Sequence, residues 1–155
     1  MLIDCTIAGE ALDFDPATVL DRKEIRRNDR TTQMALVATR QAMDHARLPT
    51  RLEGEDALNT GVIIGSGLGG TGTLIDQIIV NHERGADRVS PFFIPMAIAN
   101  IAAGQVSISF GAMGPNFSTT SACASAGHAI GEATEIILRG DAEVMLAGGT
   151  EACVY

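Results

Sequence analysis

Pro115-Asn116-Phe117-Ser118-Thr119-Thr120-Ser121-Ala122-Cys123-Ala124-Ser125-Ala126-Gly127-His128-Ala129-Ile130-Gly131 reads as a strand that turns sharply into a helix, with Cys123 at the junction. Phe117 to Ala122 is rich in β-branched and small residues and follows a Gly114-Pro115 turn, which suits a strand. From Ala124 to Leu138, Ala126, Ala129, Ile130, Ala133, Ile136 and Ile137 recur at helical spacing, with Arg139 in the last turn and Gly140 beyond it. A thiol at that junction faces the positive end of a helix, whose first-turn N–H groups favour thiolate and can hold a developing oxyanion. Ala122, Ala124, Ser125, Ala126 and Gly127 leave the first turn almost bare of bulk, so another molecule can approach. A buried, inert cysteine in a packed helix is the ordinary alternative.

Outward from the elbow, Gly61-Val62-Ile63-Ile64 has the uncharged pattern of a central strand covered on both faces, and Ala142 to Ala147 predicts another strand ending at Gly148-Gly149. Thr6 to Ala11 predicts a short strand. Asp29 caps a helix over Arg30 to Ala46, with an apolar stripe at Met34, Ala35, Ala38, Ala42 and Ala46 and an Arg40–Asp44 pair on its wet side. Thr73 to Glu83 predicts a helix with an apolar stripe at Leu74, Ile75, Ile78 and Ile79, stopped by Gly85. Met96 to Phe110 predicts a helix apolar nearly all round, which belongs in an interior. Between Val89 and Gly131 there is no Asp, Glu, Lys or Arg. Prolines and glycines break that run into pieces shorter than the roughly 20 residues of a membrane span, so it is expected to be a layer buried on both faces. The fold class is α/β, with a mainly buried sheet.

The composition narrows function. A chain of 155 residues, 46% hydrophobic, fits one domain or part of one. The net charge of −8, with Lys and Arg clustered only around 22–30, opposes a nucleic-acid surface. Cys5, Cys123 and Cys153 are odd in number and far apart, which suggests neither a disulfide framework nor a zinc site and fits a reducing, cytoplasmic setting. Met1-Leu2-Ile3 is followed directly by Asp4, so this stretch is not expected to be a signal segment.

Gly65-Ser66-Gly67-Leu68-Gly69-Gly70 satisfies G-x-G-x-x-G, but Asp87, near the spacing of a ribose-binding acid, ends no visible second strand. A phosphate-cradling P-loop is excluded by the absence of Gly-Lys-Ser/Thr. Asp21, Arg22, Lys23, Glu24, Arg26 and Arg27 form a charge run that by itself predicts a solvated surface. Phe92 and Phe93, between Pro91 and Pro95, suit a core plug. His45 and His82 suit surface or capping roles. His128 lies about 140° round the helix from Cys123 at 100° per residue, so it is expected to be a packed or hydrogen-bonded structural histidine.

Ser121 to Gly131 resembles the active-site elbow of the β-ketoacyl-(acyl-carrier-protein) synthases, thiolase-fold condensing enzymes of fatty-acid synthesis. Asp21 to Arg27, Gly65 to Gly70, Ser90 to Pro95 and Ala147 to Ala152 agree with that family in order. The resemblance implies a layered αβαβα fold with a mixed, mainly buried sheet and a central buried helix after the elbow. It implies that the chain, residues 1–155, corresponds to part of the N-terminal half, with the first strand and the C-terminal half outside it. Cys123 would take an acyl group as a thioester before decarboxylative condensation with a malonyl-carrier, without a cofactor or a metal. Leu68 would lie beside the acyl chain, and Phe93 would reach across a homodimer to line the partner's acyl tunnel. Lys23, Arg26 and Arg27 would dock acyl carrier protein; no nucleic acid and no membrane would be partners. The two histidines that assist decarboxylation belong to the C-terminal half of the family, so the 155 residues alone are expected not to complete a cycle. A thiolase-like acyl-coenzyme A enzyme shares the elbow, and a non-catalytic interaction module is the alternative of another class.

Overall fold

The computed structural model describes residues 7–154. The elements are α1 (Arg22–Arg27), α2 (Arg30–His45), α3 (Gly54–Leu58), β1 (Thr60–Gly65), α4 (Thr71–Arg84), α5 (Phe93–Ala97), α6 (Ile101–Phe110), β2 (Asn116–Phe117), α7 (Ser125–Arg139) and β3 (Val144–Gly149). The strands form one sheet in the order β2-β1-β3, with β1 parallel to both neighbours. All described strands are therefore parallel, where the resemblance led to a mixed sheet. Of the strand expected at Thr6 to Ala11, Thr6 lies outside the described residues and 7–11 have no regular structure.

The central strand β1 divides the core. Successive side chains on a strand point to opposite faces. Val62 and Ile64 accordingly join Leu36, Met43, Ala103, Val106 and Phe110 on the α2 and α6 side. Ile63 faces the other way, into a cluster with Ala129, Ala133 and Ile136 of α7. Every β1 residue is buried, as expected for an uncharged strand between two helical layers, but β2 is exposed and β3 no more than half-buried, so the sheet as a whole is not mainly buried. Burying each of Val62 and Ile63 contributes about 2 kcal/mol.

Capping fixes the helix starts. Asp29 Oδ1 accepts from Thr31 N at the head of α2, while Oδ2 accepts from Thr73 N and Thr73 Oγ1, so the same carboxylate ties α4 to α2. Asp21 accepts from the Lys23 and Glu24 amides, and Glu24 returns a bond to the Asp21 amide, which completes a capping box on α1. The bonds from the Glu24 and then the Lys23 amides hold the Asp21 carboxyl below its usual 3.8. A depressed pKa contributes stability that is present above pH 3.8 and lost as pH falls through the lowered value. On acidification the amide resonances of Lys23 and Glu24 should lose protection before those of α2 and α7. Simultaneous loss along the whole chain would refute a separate α1 transition.

Several sequence expectations about inward faces do not hold. On α2, Ala38, Ala42 and Ala46 are exposed, whereas Thr31, Thr32, Thr39 and Met43 are buried with Ala35 and Leu36. The Arg40–Asp44 pair forms at 3.7 Å. On α4, Leu74, Ile75, Ile78 and Ile79 are 40–57% exposed, so the apolar stripe faces outward. The uncharged run is not buried on both faces either: Ile94, Ile108, Met113 and Ile130 are all more than half exposed. The long helix expected over Met96 to Phe110 is divided into α5 and α6. The division has a tertiary cause, because the Gly70 amide takes the Ala97 carbonyl that a continuous helix would use, and Gly69 packs on Ala99.

Candidate active site

The site begins where β1 and the elbow touch. The expected strand over Phe117 to Ala122 keeps regular pairing only at Asn116–Phe117, and beyond it one side-chain bond and one backbone bond hold the chain to β1. Ser118 Oγ donates to the Ile64 carbonyl at 2.6 Å, and the Ser66 amide donates to the Thr119 carbonyl at 3.1 Å. The chain stays beside β1 and then turns. Ala122 takes a left-handed φ of 51°, which is rare for a residue with a Cβ. Ser125, buried at the head of α7, holds that turn from two sides: its Oγ accepts from the Ser121 amide at 2.9 Å and donates to the Ala122 carbonyl at 2.7 Å. Thr119 Oγ1 adds a bond to the Ser125 carbonyl at 2.8 Å.

The Cys123 thiol is exposed at the turn that leads into α7, as the junction predicts. Among the described residues no side chain caps the start of α7, so none of them occupies its first-turn N–H groups. Such N–H groups suit a developing oxyanion. His128 is hydrogen-bonded, its Nδ1 lying 2.6 Å from Ser121 Oγ, in agreement with a structural role.

Cys123 opens onto a cleft of about 660 Å³ that the glycine loop Gly65 to Leu68 borders on the other side. Leu68, 63% exposed, lines this same cleft, so two of the residues singled out in the sequence are brought together. Two glycines make the close approach possible. A Cβ at Gly65 would collide with the Ser125 carbonyl, and one at Gly149 would lie 2.5 Å from Ala126 Cβ. The other candidates lie outside the cleft lining. Phe93 is half-buried in α5, while Phe92 is the more exposed and carries the Arg27 guanidinium 4.7 Å from its ring centroid. The pair of aromatics is thus not a core plug. Lys23, Arg26 and Arg27 are exposed on α1, and none is in a salt bridge among the described residues.

Sequence reasoning missed Glu151. Its carboxylate accepts from the Gly67 amide at 2.6 Å, the Leu68 amide at 3.3 Å and Ser66 Oγ at 3.3 Å, which pins the glycine loop at the cleft wall. A dinucleotide phosphate would need those amides, so the structure removes the remaining case for a nucleotide fingerprint; Asp87 sits in a 3₁₀ turn, not at a strand end. Cys153 lies beside Glu151 and Thr71. Desolvation, and to a lesser degree the Glu151 carboxylate, raises its thiol pKa, while the contact with Thr71 opposes the shift. Among the described residues no cluster of His, Cys, Asp and Glu could hold a metal ion, and no helix is long and apolar enough to cross a membrane.

Parallel strands between helical layers, with a thiol at a strained elbow over an open cleft, define a class of layered α/β proteins built round a cysteine-bearing strand-to-helix turn. A family model described as the N-terminal domain of β-ketoacyl synthases matches residues 4–155, and the chain belongs to that family. It is 44% identical over 150 residues to 3-oxoacyl-(acyl-carrier-protein) synthase 2 of Synechocystis, covering 97% of this chain and 36% of the relative. It is 48% identical over 146 residues to the Staphylococcus aureus protein of the same name, covering 94% and 36%. The chain thus spans about a third of the length of these curated relatives. Among solved structures it resembles a ketosynthase bound to the hexaketide, in complex with its type II PKS acyl-carrier protein (TM-score 0.83, 26% identity, 90% of this chain and 40% of that one). A β-ketoacyl synthase from Burkholderia phymatum gives a TM-score of 0.78 at 30% identity, covering 91% and 34%. The layered thiolase-like fold inferred from the elbow is therefore correct.

Proposed function

We propose that this chain carries the acyl-accepting site of a 3-oxoacyl-(acyl-carrier-protein) synthase, with Cys123 as nucleophile. The observation that carries the reading is the exposed thiol at the head of α7, opening onto the cleft that Leu68 also lines. The Cys123 sulfur attacks the carbonyl of an acyl-carrier thioester; the C–S bond to the carrier breaks, and the carrier leaves as a thiol after taking up a proton. Loss of carbon dioxide from a malonyl-carrier then supplies a carbanion that attacks the acyl carbonyl and releases Cys123. Leu68 borders the acyl chain and Phe93 lines the tunnel of a partner subunit in a homodimer, a pairing favoured by the exposed apolar residues of α4 and α5. Lys23, Arg26 and Arg27 dock acyl carrier protein. A local basic patch lets an acidic partner approach a chain of net charge −8, and the ketosynthase of the similar complex binds such a carrier. Cys123 and Cys153 are both unpaired, which fits a reducing cytoplasm.

The carbanion step is assigned to groups outside these 155 residues, since no histidine lines the cleft among the described residues. Incubation with an acyl-carrier thioester should add the acyl mass to the Cys123 peptide, and further addition of malonyl-carrier should yield no ketoacyl product. Acylation spread equally over the three thiols would refute the site, and sustained ketoacyl formation would refute the division of labour.

A further inference from the structure

We infer that Glu151 is a specificity-determining residue that biases the Cys123 cleft against acyl groups bearing a carboxylate, so that neutral acyl chains are captured in preference. The inference rests on the proposal that Cys123 accepts acyl groups. Among the described residues lining the cleft, Glu151 alone is charged, and no Lys, Arg or His lines it to compensate. Its oxygens are held by the Gly67 and Leu68 amides and the Ser66 hydroxyl, all neutral donors, which fix the carboxylate in place without cancelling its charge. A cleft of about 660 Å³ measures roughly 9 Å across if taken as compact, comparable to the Debye length at physiological salt, so salt screens this charge only in part. The head of α7 and the Glu151 carboxylate therefore favour opposite charges. Negative charge developing on the thioester oxygen meets helix N–H groups, whereas a carboxylate carried farther along the acyl chain, towards Leu68, meets Glu151.

The test compares two maleimides of nearly equal size, neutral 6-maleimidohexanamide and anionic 6-maleimidohexanoate, whose tails carry the differing group several carbons from the sulfur, towards Leu68 and Glu151. Labelling rates at Cys123 are read by peptide mass and normalised to those of a free cysteine peptide. Wild type should favour the neutral amide. Glu151→Gln should lower the rate ratio by about three- to tenfold, whereas Glu151→Asp should keep it near the wild-type value. Raising salt from about 20 mM to about 500 mM should move the wild-type ratio towards unity further than that of E151Q. A residue that only braces the loop would change both rates together. An unchanged ratio in E151Q, or a wild-type ratio insensitive to salt, overturns the inference while leaving the acyl-accepting site standing. Failure of either reagent to label Cys123 in wild type overturns both. Should E151Q not fold, a shorter-tailed maleimide pair decides: the wild-type bias should weaken when the carboxylate stops short of Leu68 and Glu151, and an equal bias overturns the inference.

Discussion

Gly65→Val is expected to destabilise the chain by about 3–4 kcal/mol and to abolish selective labelling of Cys123. A Cβ at this position would overlap the Ser125 carbonyl and sit 2.9 Å from Thr119 Oγ1. Neither neighbour can yield cheaply. Ser125 is held by bonds to Ser121, Ala122 and Thr119, and Gly65 ends a strand buried along its whole length. The collision is with backbone, so a change of rotamer cannot relieve it. Either β1 shifts in its parallel register with β3, or the elbow is pushed off and Ala122 loses its left-handed turn. Urea unfolding followed by circular dichroism reads the first outcome, and the alkylation rate at Cys123 reads the second. A midpoint within a few tenths of a molar of wild type, with labelling intact, would show that the strand–elbow contact is looser than the structure has it.

Cys123→Ser should leave stability within about 0.5 kcal/mol of wild type, because the residue is exposed and the exchange is nearly isosteric. Acyl capture should nevertheless fall by at least ~10²-fold, since a serine hydroxyl is a far weaker nucleophile than a cysteine sulfur and no histidine lines the cleft among the described residues to activate it. Mass spectrometry after exposure to an acyl thioester measures this directly. Comparable acylation of the serine variant would mean that the acyl group enters elsewhere. The partly desolvated Cys153 is the natural control, with its thiol pKa raised beside Glu151.

The two variants probe different parts of the same construction. In Gly65→Val the nucleophile is present and its seat is spoiled; in Cys123→Ser the seat is kept and the chemistry is removed. The division matters because small residues at the junction were legible in the sequence, whereas the distance between that junction and the glycine loop was not. Glu151 shows the same limit. An acid after Gly148-Gly149-Thr150 has no local partner to reveal its task, and the Gly67 amide that it binds lies 84 residues away. Asp29 was half visible: its cap on Thr31 follows from position, while its grip on Thr73, 44 residues on, does not.

The apolar faces teach a related lesson. Alanines at helical spacing suggested a buried stripe on α2, but the buried face runs through Thr31, Thr32, Thr39 and Met43. Thr31 can be buried because its hydroxyl reaches the Gly69 carbonyl at 3.2 Å, a satisfaction that hydrophobic periodicity does not register. The stripe on α4 is real as a pattern and still faces outward, because no described element of this chain covers it. Periodicity marks a face suited to burial. Whether the face is covered depends on a neighbour.

By itself the sequence determined a few elements and some of their limits: the central strand, the Asp29 cap, the Gly140 stop and the thiol at the turn into α7. Each rests on contacts within a few residues, where propensity and capping act. Only the tertiary structure decided which helix faces are covered, where the long apolar helix divides, and that Cys123, Leu68 and Glu151 border one cleft. Those outcomes depend on packing between residues tens of positions apart, and no local pattern encodes the neighbour that will arrive.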